Sequence, residues 1–189
     1  MTRTYKGNPR SLAGGVSAWI CDDSEWADTL SLGETNMRVT ALHVSRFMQA
    51  VGNNGVMLTP EARAEQSTTL KGESHGQLKT SIRVMKKSTA LQLQSAMRDT
   101  VQRGTATSIS RAFGNSGWQI GGKTGTGPGP TETGPPFDGW FAGLIFDPTG
   151  KARFTTATFV RHGGTGGGNA AKISAELARY IAGIKSMSR

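Results

Sequence analysis

Proline and glycine fall so densely after Lys123 that no helix can follow it. The stretch Trp118-Gln119-Ile120-Gly121-Gly122-Lys123-Thr124-Gly125-Thr126 runs into Gly127-Pro128-Gly129-Pro130 and then Gly134-Pro135-Pro136, and proline inside a helix removes a hydrogen bond and clashes with the preceding turn. This matters because Gly117 to Thr124 satisfies the phosphate-loop expression G-x-x-x-x-G-K-[ST]. Phosphate binding by that motif needs a strand before it and a helix directly after it, with the helix's first amides on the phosphates. Leu144-Ile145-Phe146-Asp147 offers an apolar run ending in an acid, as a magnesium-binding strand would, but Phe113-Gly114-Asn115-Ser116 is no strand. A P-loop NTPase is therefore a remote alternative. The stretch reads instead as a strand, with Trp118, Ile120, Gly122, Thr124 and Thr126 on one face and Gln119, Gly121, Lys123 and Gly125 on the other. Gly121, Gly122 and Gly125 would let another backbone or a ligand approach closely.

The rest of the chain supplies helices, then strands, then a helix. Residues 1–35 form an irregular segment of short strand or loop pieces, with Trp19, Ile20 and Trp26 among small and acidic residues. Val44, Phe47, Met48 and Val51 then fall at helical spacing, with Thr40 as N-cap and Gly52-Asn53-Asn54-Gly55 as stop. Gly55 to Pro60 reads as a short extended piece, and 61–87 as a polar surface excursion with one short strand. A second helix from about Ser88 carries Leu93, Ala96, Met97, Thr100 and Val101 on one face and closes at Gly104. Trp140 to Phe146 and Phe154 to Val160 make an antiparallel hairpin across Asp147-Pro148-Thr149-Gly150. After the glycine cluster Gly163 to Gly168, Asn169 is the expected N-cap of a final helix. Ile173, Leu177, Tyr180, Ile181 and Ile184 form one stripe there, expected to pack across a sheet face. This order predicts an α+β fold, an antiparallel sheet with helices packed on it.

Composition excludes more than it selects. The net charge of +9, from 22 Lys and Arg against 13 Asp and Glu, favours anionic partners. The cations are scattered, with only Lys86-Lys87 adjacent and no zinc-finger spacing, so nucleic acid is not an expected partner. Cys21 stands alone, and His43, His75 and His162 lack metal-ligand spacing, so no metal or other cofactor is expected. No apolar run reaches the roughly 18 residues of a membrane span, and the first residues do not open an apolar signal segment.

Gly122-Lys123-Thr124-Gly125-Thr126 followed by Trp140-Phe141-Ala142-Gly143 resembles the Lys-Thr-Gly strand and the next strand of penicillin-binding protein transpeptidase domains. Leu32-Gly33-Glu34 and Val39-Thr40-Ala41-Leu42, leading into a helix that ends Val51-Gly52-Asn53-Asn54-Gly55-Val56, are similar to that family's glycine-marked entry, helix and Asn-Gly-Gly turn. Gly104-Thr105-Ala106 resembles the family's step before the Lys-Thr-Gly strand, and Gly168-Asn169-Ala170-Ala171 its closing helix. The resemblance covers about residues 30–185 in order. Glu34 and Ala41 stand where the family tends to have Gly and Pro.

The resemblance implies a serine D,D-transpeptidase that cross-links peptidoglycan through an acyl-enzyme, trapped by β-lactams, on the extracytoplasmic side of a bacterial cell envelope. By motif position Lys123 and Thr126 would be catalytic, Lys123 as a cation beside the substrate carboxylate and the reacting groups, and Thr126 through its backbone N–H as half of an oxyanion hole. The hydroxyls of Thr124 and Thr126 would bind carboxylate, and Gly125 would keep the strand edge clear. The family's nucleophile lies in Ser-x-x-Lys, with a second element Ser-x-Asn. No serine here has Lys at i+3 or Asn at i+2; Thr68-Thr69-Leu70-Lys71 and Ser186-Met187-Ser188-Arg189 come nearest. The nucleophile is unknown, and residues 36–189 are read as the C-terminal portion of a transpeptidase domain, inactive alone. Its expected partners are a stem peptide or β-lactam and the missing N-terminal part. The alternative is a non-catalytic peptidoglycan- or carboxylate-binding fragment, or a structural one.

Overall fold

The computed structural model describes residues 10–12, 16–18, 39–59, 81–127 and 137–184. The chain divides into two units, Met1–Val44 and Ser45–Arg189. In the first, β1 (Arg10–Leu12) and β2 (Val16–Ala18) pair antiparallel, Leu12 opposite Val16. Trp19, Ile20, Cys21, Trp26, the Leu32-Gly33-Glu34 entry, His75 and the Gly-Pro loop beyond Gly127 lie outside the described residues.

Helix α1 (Ala41–Gly52) starts as the sequence predicts. The Thr40 hydroxyl accepts a hydrogen bond from the His43 N–H at 3.2 Å, which satisfies one of the donors a helix start leaves without a partner. Its buried residues are Met48, Ala50 and Val51, while Phe47 is exposed, so the packed face is turned from the predicted one. Strands β3 (Val56–Leu58) and β4 (Ser81–Arg83) form a second antiparallel pair, the latter being the short strand expected within 61–87. Helix α2 (Lys87–Gln102) buries Ala90, Gln94, Met97 and Val101, and Ala96 is exposed. Gln94, a polar residue, takes a core position because its side-chain amide donates to the Val51 carbonyl at 2.8 Å; a buried amide is tolerated when it is so bonded.

The central sheet is antiparallel, in the order β5 (Gln119–Gly127), β6 (Asp138–Phe146), β7 (Ala152–Val160). Each strand has nine residues, and β5 and β6 pair without a break from Gln119–Phe146 to Gly127–Asp138. A continuous strand through Lys123, in an antiparallel sheet, leaves no helix start at which a phosphate could sit, so the phosphate-loop reading fails on geometry.

Helix α3 (Ala171–Ile181) packs on one face of the sheet. Ile120, Phe141 and Ile145 meet Ala171, Ala175 and Ala178 there, joined by Val101, Ile109 and Phe113. The predicted stripe is overturned: Ile173, Leu177, Tyr180 and Ile181 are exposed, and only Ile184 packs against this cluster. The large side chains already supplied by the sheet leave room for alanine at the contact. Thr158 and Ser174 hydroxyls, 2.6 Å apart, add a polar tie to that close approach. The N-cap prediction fails as well. Asn169 lies within a π-type turn, Gly166–Ala170, that runs into α3, and its side chain donates to the Gly163 carbonyl at 3.0 Å. Among the described residues no helix is long and apolar enough to cross a membrane.

The β6–β7 turn is fixed by Asp147. Its Oδ1 accepts from the Thr149 hydroxyl at 2.5 Å, the Thr149 N–H at 2.9 Å and the Lys151 N–H at 3.1 Å, and Gly150 takes φ +81°. The Thr149 hydroxyl foremost, then the backbone donors and Arg153, hold this carboxyl below its ordinary value of 3.8. A depressed folded-state value means that the ionised form stabilises the fold above the ordinary value and that this contribution fades as pH falls through the depressed one. Asp147→Asn is therefore expected to melt below the parent at neutral pH. The difference should shrink on acidification below the carboxylate range, as thermal unfolding followed across pH would show.

Candidate functional site

The two faces of the sheet are covered to different extents, and this creates the site. Along β6, burial alternates from Asp138 to Gly143, with Trp140 and Ala142 half-buried between buried Gly139, Phe141 and Gly143. From Leu144 to Phe146 every residue is buried. The change marks where α1 and α2 end their cover of the face opposite α3. On that face Gly52 of α1 lies against Leu144, the Ser45 and Thr155 hydroxyls are 2.8 Å apart, and α2 presses on Gly121. A Cβ on Gly121 would stand 2.9 Å from the backbone at Met97 and Arg98. Arg98 also lies 3.6 Å over the Phe146 ring and donates to the Gly150 carbonyl at 3.0 Å, and burial lowers its pKa from the ordinary value.

Beyond Gly121 that face is less covered among the described residues: Lys123 is exposed, and Gly125, Trp140, Ala142 and Ala157 are half-buried. Register places Lys123 beside Ala142 and Ala157, and Gly125 beside Trp140 and Phe159. Lys123 is exposed, and its ammonium donates to the carbonyl of Thr124. Trp140 and Phe159 set their rings 4.7 Å apart, so a cation stands next to an aromatic shelf. Among the described strands β5 pairs only with β6, leaving its outer edge available for strand-like pairing.

The other predicted residues lie on the α3 side of the same strand. Thr124 is buried, and its hydroxyl is 2.7 Å from that of Thr105. Thr126 is exposed, and its hydroxyl accepts from the Gly166 N–H at 3.2 Å. The Ser108 hydroxyl donates to the Gly167 carbonyl at 2.6 Å. The structure thus brings Thr105, Ser108, Thr124, Thr126, Gly166 and Gly167 together at one end of β5, while Lys123 projects from the opposite face. Thr105, Ser108 and the two glycines were not among the predicted site residues. Their sequence signals were the Gly104-Thr105-Ala106 step and the glycine cluster.

The glycines of the motif make room mainly for the protein itself. A Cβ on Gly122 would meet Phe141 at 2.4 Å, and one on Gly125 would meet Trp140 at 3.1 Å. Gly166 and Gly167 are the tight points of the loop: a Cβ on Gly166 would lie 2.2 Å from the Trp140 carbonyl oxygen and 2.3 Å from that of Gly125, and one on Gly167 would lie 2.0 Å from the Thr105 carbonyl oxygen.

The sequence profile of the penicillin binding protein transpeptidase domain matches residues 2–182. The chain belongs to this family. A comparison with curated proteins finds no match. Among solved structures, the imipenem acyl-enzyme of penicillin-binding protein A from M. tuberculosis is 20% identical, with a TM-score of 0.58 over 84% of this chain and 35% of that one. PBP2 from Pseudomonas aeruginosa is also 20% identical at a TM-score of 0.58, covering 81% of this chain and 32% of that one. Penicillin binding protein 3 from the first organism, complexed with ampicillin, gives 20% identity, a TM-score of 0.54 and coverages of 79% and 35%. Likeness at this identity is likeness of fold. The chain spans about a third of the length of the solved structures it matches.

The packing of Gly166 sets a test. Gly166→Ala must displace backbone rather than a flexible side chain, and is expected to cost about 3 kcal/mol, as overpacking does. Gly127→Ala, with nothing within 4 Å of the new methyl, should cost far less. Denaturant unfolding of the two variants measures the difference.

Proposed function

We propose that this chain is the Lys-Thr-Gly-bearing portion of a D,D-transpeptidase of peptidoglycan cross-linking, and that it holds the D-Ala-D-Ala end of a stem peptide, or a β-lactam, along β5. The observation that carries this reading is the exposed Lys123 on a partly covered half-face, at a strand whose outer edge is unpaired among the described residues, in a chain of the transpeptidase family. The strand offers N–H and C=O groups to an extended peptide, as in other cases of strand addition. Lys123 supplies positive charge for the terminal carboxylate and for the reacting groups, and Gly125 keeps the approach low. Of the hydroxyls, Thr126 is exposed. The Thr105–Thr124 pair uses only one of its two hydroxyl hydrogens internally, so one remains to donate to a carboxylate. The Thr126 N–H is assigned to the oxyanion in the acylation step. Trp140 and Phe159 give an apolar shelf for the substrate part beyond the reacting carbonyl.

Acylation would proceed by attack of a serine hydroxyl oxygen on the peptide or lactam carbonyl, its proton passing to a base and a proton reaching the amide nitrogen as the C–N bond breaks, which releases D-Ala from the peptide or opens the lactam ring. The serine must come from outside these 189 residues, because none of their serines stands in Ser-x-x-Lys. The absence of that motif equally favours the second reading, a fragment that binds the carboxylate-terminated peptide without catalysis. The work would take place on the extracytoplasmic side of a bacterial cell envelope.

Two measurements bear on this. Intact-mass spectrometry of the chain after exposure to fluorescent penicillin is expected to show no acyl adduct, and an adduct would place a nucleophile within it. Titration with a D-Ala-D-Ala-terminated peptide should give weak binding that Lys123→Ala reduces about tenfold or more, the scale of a lost charge-assisted hydrogen bond. Equal affinity of the variant would remove Lys123 from the role given to it.

A further inference from the structure

A cavity of about 240 Å³ lies at the start of β5, and the proposed site uses none of its residues. Helical spacing puts Arg98, Val101 and Gln102 of α2 on one side of it. Ser110, Phe113 and Trp118 come from the segment before β5, where Gly114 and Gly117 take φ +51° and +79°, a left-handed backbone that turns the chain back. Val101, Phe113 and Ile120 are buried and make an apolar floor, while Gln102, Ser110 and Gln119 are exposed at the mouth. Trp118 is half-buried and stacks on Phe154 with ring centroids 6.1 Å apart. Arg98 carries the charge in this lining, which contains no acid among the described residues. A guanidinium has five N–H donors. The Gly150 carbonyl takes one, and the Phe146 ring covers the cation without bringing a net charge. Among the described residues no carboxylate pairs with Arg98: Asp99 is held by Arg103 at 2.8 Å, and Asp147 by its own turn and Arg153. Burial lowers the Arg98 pKa with no anion to offset it. A cation so placed is stabilised by an anion beside it.

We propose that this cavity binds a small organic carboxylate with a flat apolar body, its carboxylate on Arg98 and its body against Phe113 and Trp118. The planar fork of a guanidinium matches the two oxygens of a carboxylate. Phosphate shares that geometry, but it carries more negative charge than one cation balances, and an inorganic ion has nothing to bury on the apolar floor. Size restricts the ligand further. At about 240 Å³ the cavity is smaller than the roughly 300–1,000 Å³ of pockets for drug-sized ligands, so a single ring with its carboxylate is the fitting scale. The inference stands apart from the transpeptidase reading, since it uses neither Lys123 nor peptide pairing along β5.

Amide NMR of the full chain during titration with benzoate tests it. Saturable shifts are expected at Gln102, Ser110 and Gln119. Benzyl alcohol, the uncharged counterpart, should bind about tenfold or more weakly, the scale of a lost hydrogen bond to a charged group. Gln102→Glu is the decisive variant, because it sets a carboxylate one helical turn from Arg98, where it competes for the guanidinium without removing it. Benzoate affinity should fall about tenfold or more in that chain, with helix content unchanged by circular dichroism. Arg98→Met should abolish binding; if that chain fails to fold, Gln102→Glu decides alone. Gln92→Glu, exposed on the same helix and outside the cavity, should leave the affinity unchanged. The proposal is overturned by undiminished binding in the Gln102→Glu chain, by an equal loss in the Gln92→Glu chain, or by inorganic phosphate binding as tightly as benzoate. Shifts at Lys123 to Thr126 in place of those expected, or no saturable shift at all, overturn it as well.

Discussion

The packing of Phe141 beneath Gly122 is the contact on which the rest of the sheet depends. In the β5–β6 register Gly122 pairs with Gly143 and Phe141 with Thr124, so the two are diagonal neighbours on one face, and the ring occupies the space a side chain at Gly122 would need. Phe141 is fully buried and so are Leu144, Ile145 and Phe146, so β6 is the spine of the domain. Bulk on the central strand is matched by small residues around it: glycine on β5 and alanine on α3. That match lets the α3 backbone come close enough for the Thr158 and Ser174 hydroxyls to meet.

The same economy of side chains fixes the site. Gly121 admits the α2 backbone, and α2 ends its cover of the sheet there. Two residues later Lys123 emerges on the less covered part of the same face. On the other face the loop at Gly166 rests on the Gly125 and Trp140 carbonyls, and ties Thr126 through a hydrogen bond. Lys123 and the threonines are therefore held from opposite sides of a single strand. A strand with alternating faces can present a cation to one side and hydroxyls to the other while its edge takes a peptide between them.

Much of this was legible in the sequence because it is local. The Thr40 cap, the Gly52 stop, the second helix and its end near Gly104, the Asp147 turn and the strand nature of the Lys123 stretch follow from capping chemistry, proline geometry and period-2 alternation. Where the reading missed, long-range packing had decided. Helical spacing identifies a set of residues on one side but not which neighbour meets them. So Phe47 faces solvent, Gln94 enters the core through its bond to Val51, and α3 buries alanines instead of its isoleucines. Asn169 had the right residue type for an N-cap, but Gly163, six residues earlier, took its amide.

The sequence by itself determined that Lys123 lies on a strand, since nothing beyond it can be helical, and that no Ser-x-x-Lys accompanies it. It also carried the motif order of a transpeptidase domain, which the family profile matches over residues 2–182. Only the tertiary structure decided which half of the sheet is less covered among the described residues, that Thr105 reaches Thr124, and that Ile173, Leu177, Tyr180 and Ile181 of the last helix are exposed. The reason is physical: exposure is a property of what comes to lie against a residue, and those neighbours stand tens of residues away in the chain.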